Sequence, residues 1–226
     1  MTAGFISFIA TVAIYYLSKK IYQKKTWVIL SPLLIAPVIL VALLSITHTT
    51  YKSYSSGGQW LTEILQPATV AFAVPLYKYR HILKKQMAVI ALSMTAGVTI
   101  AFISSDFIAR LTHVSPNVIL SMLPRSVTTP IAMAVSINIG GIPAMTAAFV
   151  IMTGITGIII GPLLIKWLPI NDKLSKGLLL GMGAHGAGTS KALEIGKEEG
   201  AAASLAMVIA AVFTLALAPV LMTFLT

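Results

Sequence analysis

The sequence predicts an all-α protein: a polytopic membrane helix bundle of about six full spans plus two broken or re-entrant helical segments in an inverted repeat, all within one integral membrane domain over residues 1–226. Three observations predict it. The chain is 57% hydrophobic and only 10% charged, with a mean hydropathy of +0.92, which is far from the composition of soluble domains. Its apolar residues come in runs long enough to cross a hydrocarbon layer. The basic residues behind its net charge of +10 lie in short clusters between those runs, a topological pattern and not a nucleic-acid patch. The absence of cysteine excludes disulfides, thiolate metal sites and Cys nucleophiles. Neither a cofactor nor a metal is expected.

Taken in order, the crossing runs are Thr2 to Leu17, Trp27 to Thr47, Trp60 to Tyr77, Gln86 to Ala109, Pro143 to Leu168 and Ala201 to Leu225. The first has no basic stretch before it and no cleavage motif after it, so it reads as a retained span. The third carries Pro67 and Pro75, which can break it. Lys19, Lys20, Lys24 and Lys25 follow the first run, and Lys78, Arg80, Lys84 and Lys85 follow the third. By the positive-inside rule both loops face the cytoplasm and the N-terminus is outside. Tyr51 to Gln59, polar and nearly uncharged, reads as an external loop. Trp27, Trp60 and Trp167 near run ends suit interfacial anchoring.

Two segments remain, Ser115 to Gly141 and Leu174 to Gly196. The first holds LPRSVTTPIAMAVSINIGG, Leu123 to Gly141, a hydroxyl-rich, Pro-broken and Arg-bearing passage. Irregular polar backbone at membrane depth is tolerated only where it is buried in protein or lines a cavity. Ser115 and Pro116 form a helix start, Pro124 ends that run, Thr129 and Pro130 form a second start, and Gly140 with Gly141 suits a C-terminal cap. The result is two half-helices around a break, with N–H groups and a positive dipole end at Thr129 aimed at Arg125, Ser126 and Thr128. An anion would be well received there. The competing reading is a Pro-kinked helix whose hydroxyls satisfy its own backbone.

The second segment ends in GMGAHGAGTSKALEIG, Gly181 to Gly196, where closely spaced glycines disfavour a long regular helix. Thr189 is expected to cap a helix from Ser190 to a stop at Gly196. Lys191 and Glu194 can pair on one face. Glu194 or His185 could carry a coupled proton, while a solvated, snorkelling helix end is the competing account of Lys191, Glu194 and Lys197. Asp106 and Arg110, one turn apart, read as an interfacial pair. Gln66, Pro67, Thr69 and Asn138 are secondary candidates for the same cavity, with Glu63 a weaker one.

If both segments crossed, Lys166, Lys173 and Lys176 would lie outside, against the charge rule; re-entry puts them inside and is preferred. Pro67 and Pro124 are spaced as Pro162 and Pro219 are, Gly181 falls the same distance beyond Pro124, and MTAGVT echoes MTGIT. Under re-entry, a unit of broken segment plus span occurs twice from opposite sides. That is the arrangement of secondary transporters whose site lies where the breaks meet.

The runs LQPATVAFAVPLYK (Leu65 to Lys78), LPRSVTTPIAMAVS (Leu123 to Ser136), GGIPAMTA (Gly140 to Ala147) and GAHGAGTSKALE (Gly183 to Glu194) resemble the LrgB/CidB family over essentially the whole chain. The resemblance implies two functions. One is an antiholin-like regulator of a small holin-like LrgA/CidA-type partner, controlling murein hydrolase activity and lysis. The other follows from plastid relatives that export glycolate and glycerate and from bacterial pairs linked to pyruvate uptake: a carrier of small monocarboxylates by alternating access, coupled to protons or another ion. Matching positions are Pro67, Ser126, Thr128, Thr129, Pro130, His185, Gly188, Thr189 and Glu194. Arg125 and Lys191 stand where Lys and Arg are expected, which keeps charge but alters carboxylate geometry. Ala134 stands where some members are acidic.

The expected substrate-binding set is therefore Arg125, Ser126, Thr128, Thr129, Pro130, His185, Gly188, Thr189, Ser190 and Lys191, with His185 and Glu194 as coupling groups. A small carboxylate, the lipid bilayer, a holin-like membrane protein and further copies of the chain are the expected partners, in a bacterial cytoplasmic membrane. An intramembrane hydrolase using His185 with Ser190 or Ser126 lacks a nucleophile elbow or paired metal ligands, so no enzyme activity is expected.

Overall fold

A computed structural model describes residues 2–24, 30–71 and 73–225, apart from some side chains within these ranges, among them those of Gln66, Thr69 and residues 221–225. Every regular element among the described residues is helical, and the chain divides into two compact units, Met1–Phe72 and Ala73–Thr226. Among the described residues, four helices are long and apolar enough to cross a membrane: α1 over Gly4–Lys24, α6 (Met87–Leu111), α9 (Pro143–Trp167) and α11 over Lys197–Val220.

In the first unit, α1 (Thr2–Lys24), α2 (Pro32–Ile46) and α3 (Tyr51–Ala71) pack together. α1 and α3 touch through Gly4 and Gly57, where a Cβ on Gly57 would run into the Gly4 carbonyl. Thr11 Oγ1 and Tyr54 Oη lie 3.0 Å apart beside that crossing, and Phe8 meets the edge of Trp60 at 5.8 Å between centroids. The expected external loop Tyr51 to Gln59 is instead the first part of α3. Ser55 and Ser56 turn their hydroxyls onto the carbonyls of Lys52 and Ser53, so a polar run satisfies itself as helix. The expected second run is observed over its described part as the 15-residue α2. Pro67 sits inside α3, and Trp27 lies outside the described residues.

The second unit begins with two short helices, α4 (Ala73–Lys78) and α5 (Arg80–Lys85), and then α6. Ile90, Met94, Val98 and Phe102 recur every fourth residue, so they form one buried stripe on α6, packed with Ala202, Ala206 and Ala210 of α11 (Lys197–Leu225). In lipid such a stripe gains from close packing and not from leaving water, which is why the α11 side is built from alanines. α11 is the innermost crossing helix, far more enclosed than α6 or α9.

Between these helices lie the two broken segments. The first is α7 (Pro116–Met122), a 3-10 turn (Leu123–Ser126) and α8 (Thr129–Ile139). Pro116 opens α7 after Ser115, Pro130 opens α8 after Thr128, and Gly140 closes α8 with φ 86°, a left-handed cap that suits glycine. The chain then returns beside α7 and α8: Ile142 N–H donates to Ser121 Oγ at 2.7 Å, and Thr146 Oγ1 donates to Ser136 Oγ at 2.7 Å.

The second segment is α10 (Lys173–Ile195), helical on both sides of a reversal at His185, φ 46° and ψ −123°. The break thus lies before Thr189, which is not a helix cap. Thr189 is interior, and its Oγ1 donates at 2.9 Å to the carbonyl of His185, the residue that makes the reversal. Beyond the reversal, Gly188 packs directly on the Leu180 carbonyl, where a Cβ could not fit. The two halves of α10 are therefore folded against each other, and the chain emerges where it entered: Lys173 Nζ is 3.2 Å from Glu198 Oε2 at the start of α11.

A candidate anion site where two hairpin tips meet

Each tip is built by a residue that stops a helix, Pro124 in one case and His185 in the other. Both tips rest on the middle of α9. Arg125, on the 3-10 turn, donates from NH1 to Thr153 Oγ1 at 3.4 Å, while Nδ1 of His185 lies 3.9 Å from where a Cβ on the adjacent Gly154 would be. The tips also touch each other: the 3-10 turn packs against α10, with the Arg125 backbone beside the His185 imidazole. A Cβ at 154 would make only ordinary van der Waals contact with Ala184, Ala187 and His185.

Arg125 is half-buried, and its Nε donates to the buried Ser105 Oγ of α6 at 2.9 Å. Both of its partners are hydroxyls. No carboxylate among the described residues pairs with it, the ion pairs being Asp106–Arg110, Lys173–Glu198 and Lys191–Glu194. A guanidinium taken from water without a counter-charge is costly, and an arriving anion would relieve that cost with a forked pair of hydrogen bonds. Two nearby tip groups also have spare capacity: Thr128 Oγ1 and His185 Nε2 are buried without partners. Thr128 is the residue before α8, so its hydroxyl stands at a helix start.

The remaining expected residues divide into three groups. Ser126 is buried in the 3-10 turn, and Thr129 and Pro130 form the first turn of α8, so these belong to the tips. Gly188 and Thr189 lie behind the His185 reversal and shape it. Ser190 is exposed with its hydroxyl on the Gly186 carbonyl, and Lys191 pairs with Glu194 at 2.7 Å, in keeping with the expected pairing on one helix face. Asn138 is exposed near the end of α8, and Pro67 is exposed in α3. Asp106 and Arg110 form the expected pair at 2.8 Å.

Ser105, Thr153 and Gly154 were not singled out by the sequence. The available signal was the spacing of Gly154, Gly157 and Gly161 on α9. That is a small-residue face onto which α10 packs so closely that a Cβ on Gly157 would meet Ala184 Cβ at 2.5 Å. Beside Arg125 this face opens into a cavity of about 490 Å³.

The sequence profile of the LrgB-like family matches residues 11–224. The chain is 49% identical to Bacillus subtilis protein YwbG over 99% of this chain and 100% of that one. It is 39% identical to YxaC of the same organism over 92% and 90% of the two chains, and 37% identical to the holin-like protein CidB of Staphylococcus aureus over 93% and 92%. No solved structure matches.

Proposed function

The chain belongs to the LrgB-like family, and on that premise we propose that it is the multi-span component of a holin-like membrane system. It acts with a small holin-like membrane protein to govern the permeability of the bacterial cytoplasmic membrane, and through it wall-hydrolase activity and lysis. The observation that carries this reading is the alignment with holin-like CidB along nearly the full length of both chains. The test is dye release from liposomes holding the small partner. Leakage should fall when this chain is added at equimolar amount, and unchanged leakage would overturn the reading.

The tip geometry favours a second reading, passage of a small monocarboxylate through this chain itself. It starts from an inverted repeat. The first broken segment precedes α9 and the second follows it, so each is a hairpin entering from its own end of α9, with α9 and α11 as the paired spans. About six spans, an external N-terminus and cytoplasmic Lys166, Lys173 and Lys176 complete that topology. Arg125 holds the carboxylate, Thr128 and the α8 N-terminus face it, and His185 carries a coupled proton, with no chemistry done on the solute. Labelled glycolate and pyruvate uptake into liposomes, with and without the partner, tests it. Saturable uptake abolished by Arg125→Gln supports the carrier, and uptake indifferent to Arg125 removes it.

A further inference from the structure

The cavity beside Arg125 is larger than a two- or three-carbon acid requires, and most of its remaining wall is apolar. Arg125 and the hydroxyls of Thr153 and Thr156 occupy one part, while Met122, Phe149, Ile160 and Leu179 supply most of the rest. Among the described residues, the guanidinium is the one charged group in the lining. One cation in a largely apolar, partly open groove of about 490 Å³ fits an anion with one charged head and an apolar body.

We propose that this cavity is a binding site for monocarboxylates bearing an apolar chain of roughly four to eight carbons, with the carboxylate on Arg125 beside Thr153 and the chain running towards Ile160 and Leu164. The inference rests on the carrier reading of the Arg125 site and extends its substrate class. Dicarboxylates are disfavoured because the far end offers no second cation and would strand a charge against apolar walls. Gly183 supplies the handle for a test. It lines the cavity, and a Cβ built on it meets nothing within 4 Å, so a side chain there fills space without displacing the helices.

The experiment is calorimetric titration of the purified full chain in detergent with propanoate, butanoate, hexanoate and adipate. Circular dichroism and melting of each variant serve as the folding control. Affinity should rise about fourfold per added methylene from propanoate to hexanoate, and adipate should bind at least tenfold more weakly than hexanoate. Gly183→Leu should flatten the chain-length dependence while retaining propanoate, and Arg125→Gln should abolish saturable binding of all four. Equal affinity across chain lengths, no binding by the folded wild-type chain, or chain-length dependence that survives Arg125→Gln would each overturn the proposal. Liposome uptake separates the two claims. Binding as expected without uptake leaves the site standing and removes the carrier, whereas Arg125-dependent uptake of two- and three-carbon acids with no gain from longer chains keeps the carrier and removes this inference.

Discussion

Lys173 Nζ and Glu198 Oε2 lie 3.2 Å apart although the whole 23-residue helix α10 stands between them. A straight helix of that length would separate its ends by about 34 Å, so the pair marks a segment that returns to its own entry. Both side chains are substantially exposed, 60% and 44%, and the pair itself contributes less than about 1 kcal/mol. It reports the hairpin; what holds the hairpin is glycine.

Gly181 and Gly183, on the same half of α10, should therefore respond oppositely to alanine. A Cβ on Gly181 would collide with the Ala203 carbonyl of α11, whereas one on Gly183 meets open space. Gly181→Ala should cost about 1–3 kcal/mol through forced separation of the helices, and Gly183→Ala should gain about 0.5–1 kcal/mol of helix propensity. Unfolding of both variants in mixed micelles checks the sign.

His185 carries the reversal at φ 46° and ψ −123°, a conformation that glycine adopts freely and a side chain does not. His185→Ala and His185→Gly both remove the imidazole that lies beside the Arg125 backbone. The glycine variant should be more stable than the alanine variant by about 1–2 kcal/mol, the cost of holding a Cβ there. Equal stability would mean that the reversal relaxes when the ring is lost.

Ser105→Ala leaves the Nε of Arg125 without its 2.9 Å acceptor in a buried place and should cost about 1.5–3 kcal/mol, as for a hydrogen bond to a charged group. Thr153→Val removes a 3.4 Å contact and should cost clearly less. Comparing the two by denaturant midpoint identifies which hydroxyl anchors the guanidinium.

Asp172, outside the spans, caps α10 by accepting from Ser175 N–H and Oγ, both at 2.8 Å. The Ser175 backbone bond first, then its hydroxyl and nearby Lys176, hold the carboxyl below its ordinary 3.8. A lowered folded value means that the cap stabilises fully above the ordinary carboxylate value and is lost as pH falls through the lowered one. Asp172→Ala should cost about 1 kcal/mol at pH 7. The gap between wild type and variant should close on acidification below pH 3.8.

The breaks were legible because prolines and glycines in an apolar chain are local, strong signals. Pro116, Pro130 and Gly140 sit at the ends the sequence assigned them. The break in α10 was misplaced to Thr189 because capping hydroxyls are the usual sign of a helix start. Here a histidine in a left-handed conformation makes the turn, and the packing of Gly188 on Leu180 reveals it. Tyr51 to Gln59 misled in the other direction, since serines that bond to their own helix resemble a loop in composition. Ser105 and Thr153 were hidden because a hydroxyl on a crossing helix is ordinary until a cation from another segment reaches it.

The central claim is that two hairpins enter from opposite faces and meet at Arg125 and His185, and the cysteine-free sequence makes it directly measurable. Single cysteines at Asn117, Asn138, Ser175 and Lys197, all exposed, would be labelled in intact and in opened cells with a membrane-impermeant maleimide. The account predicts that Asn117 and Asn138 label from the outside, and that Ser175 and Lys197 label only once the cytoplasmic face is opened. Labelling of Asn117 and Asn138, or of Ser175 and Lys197, from opposite faces would mean that the segment between them crosses the membrane, and would contradict the account.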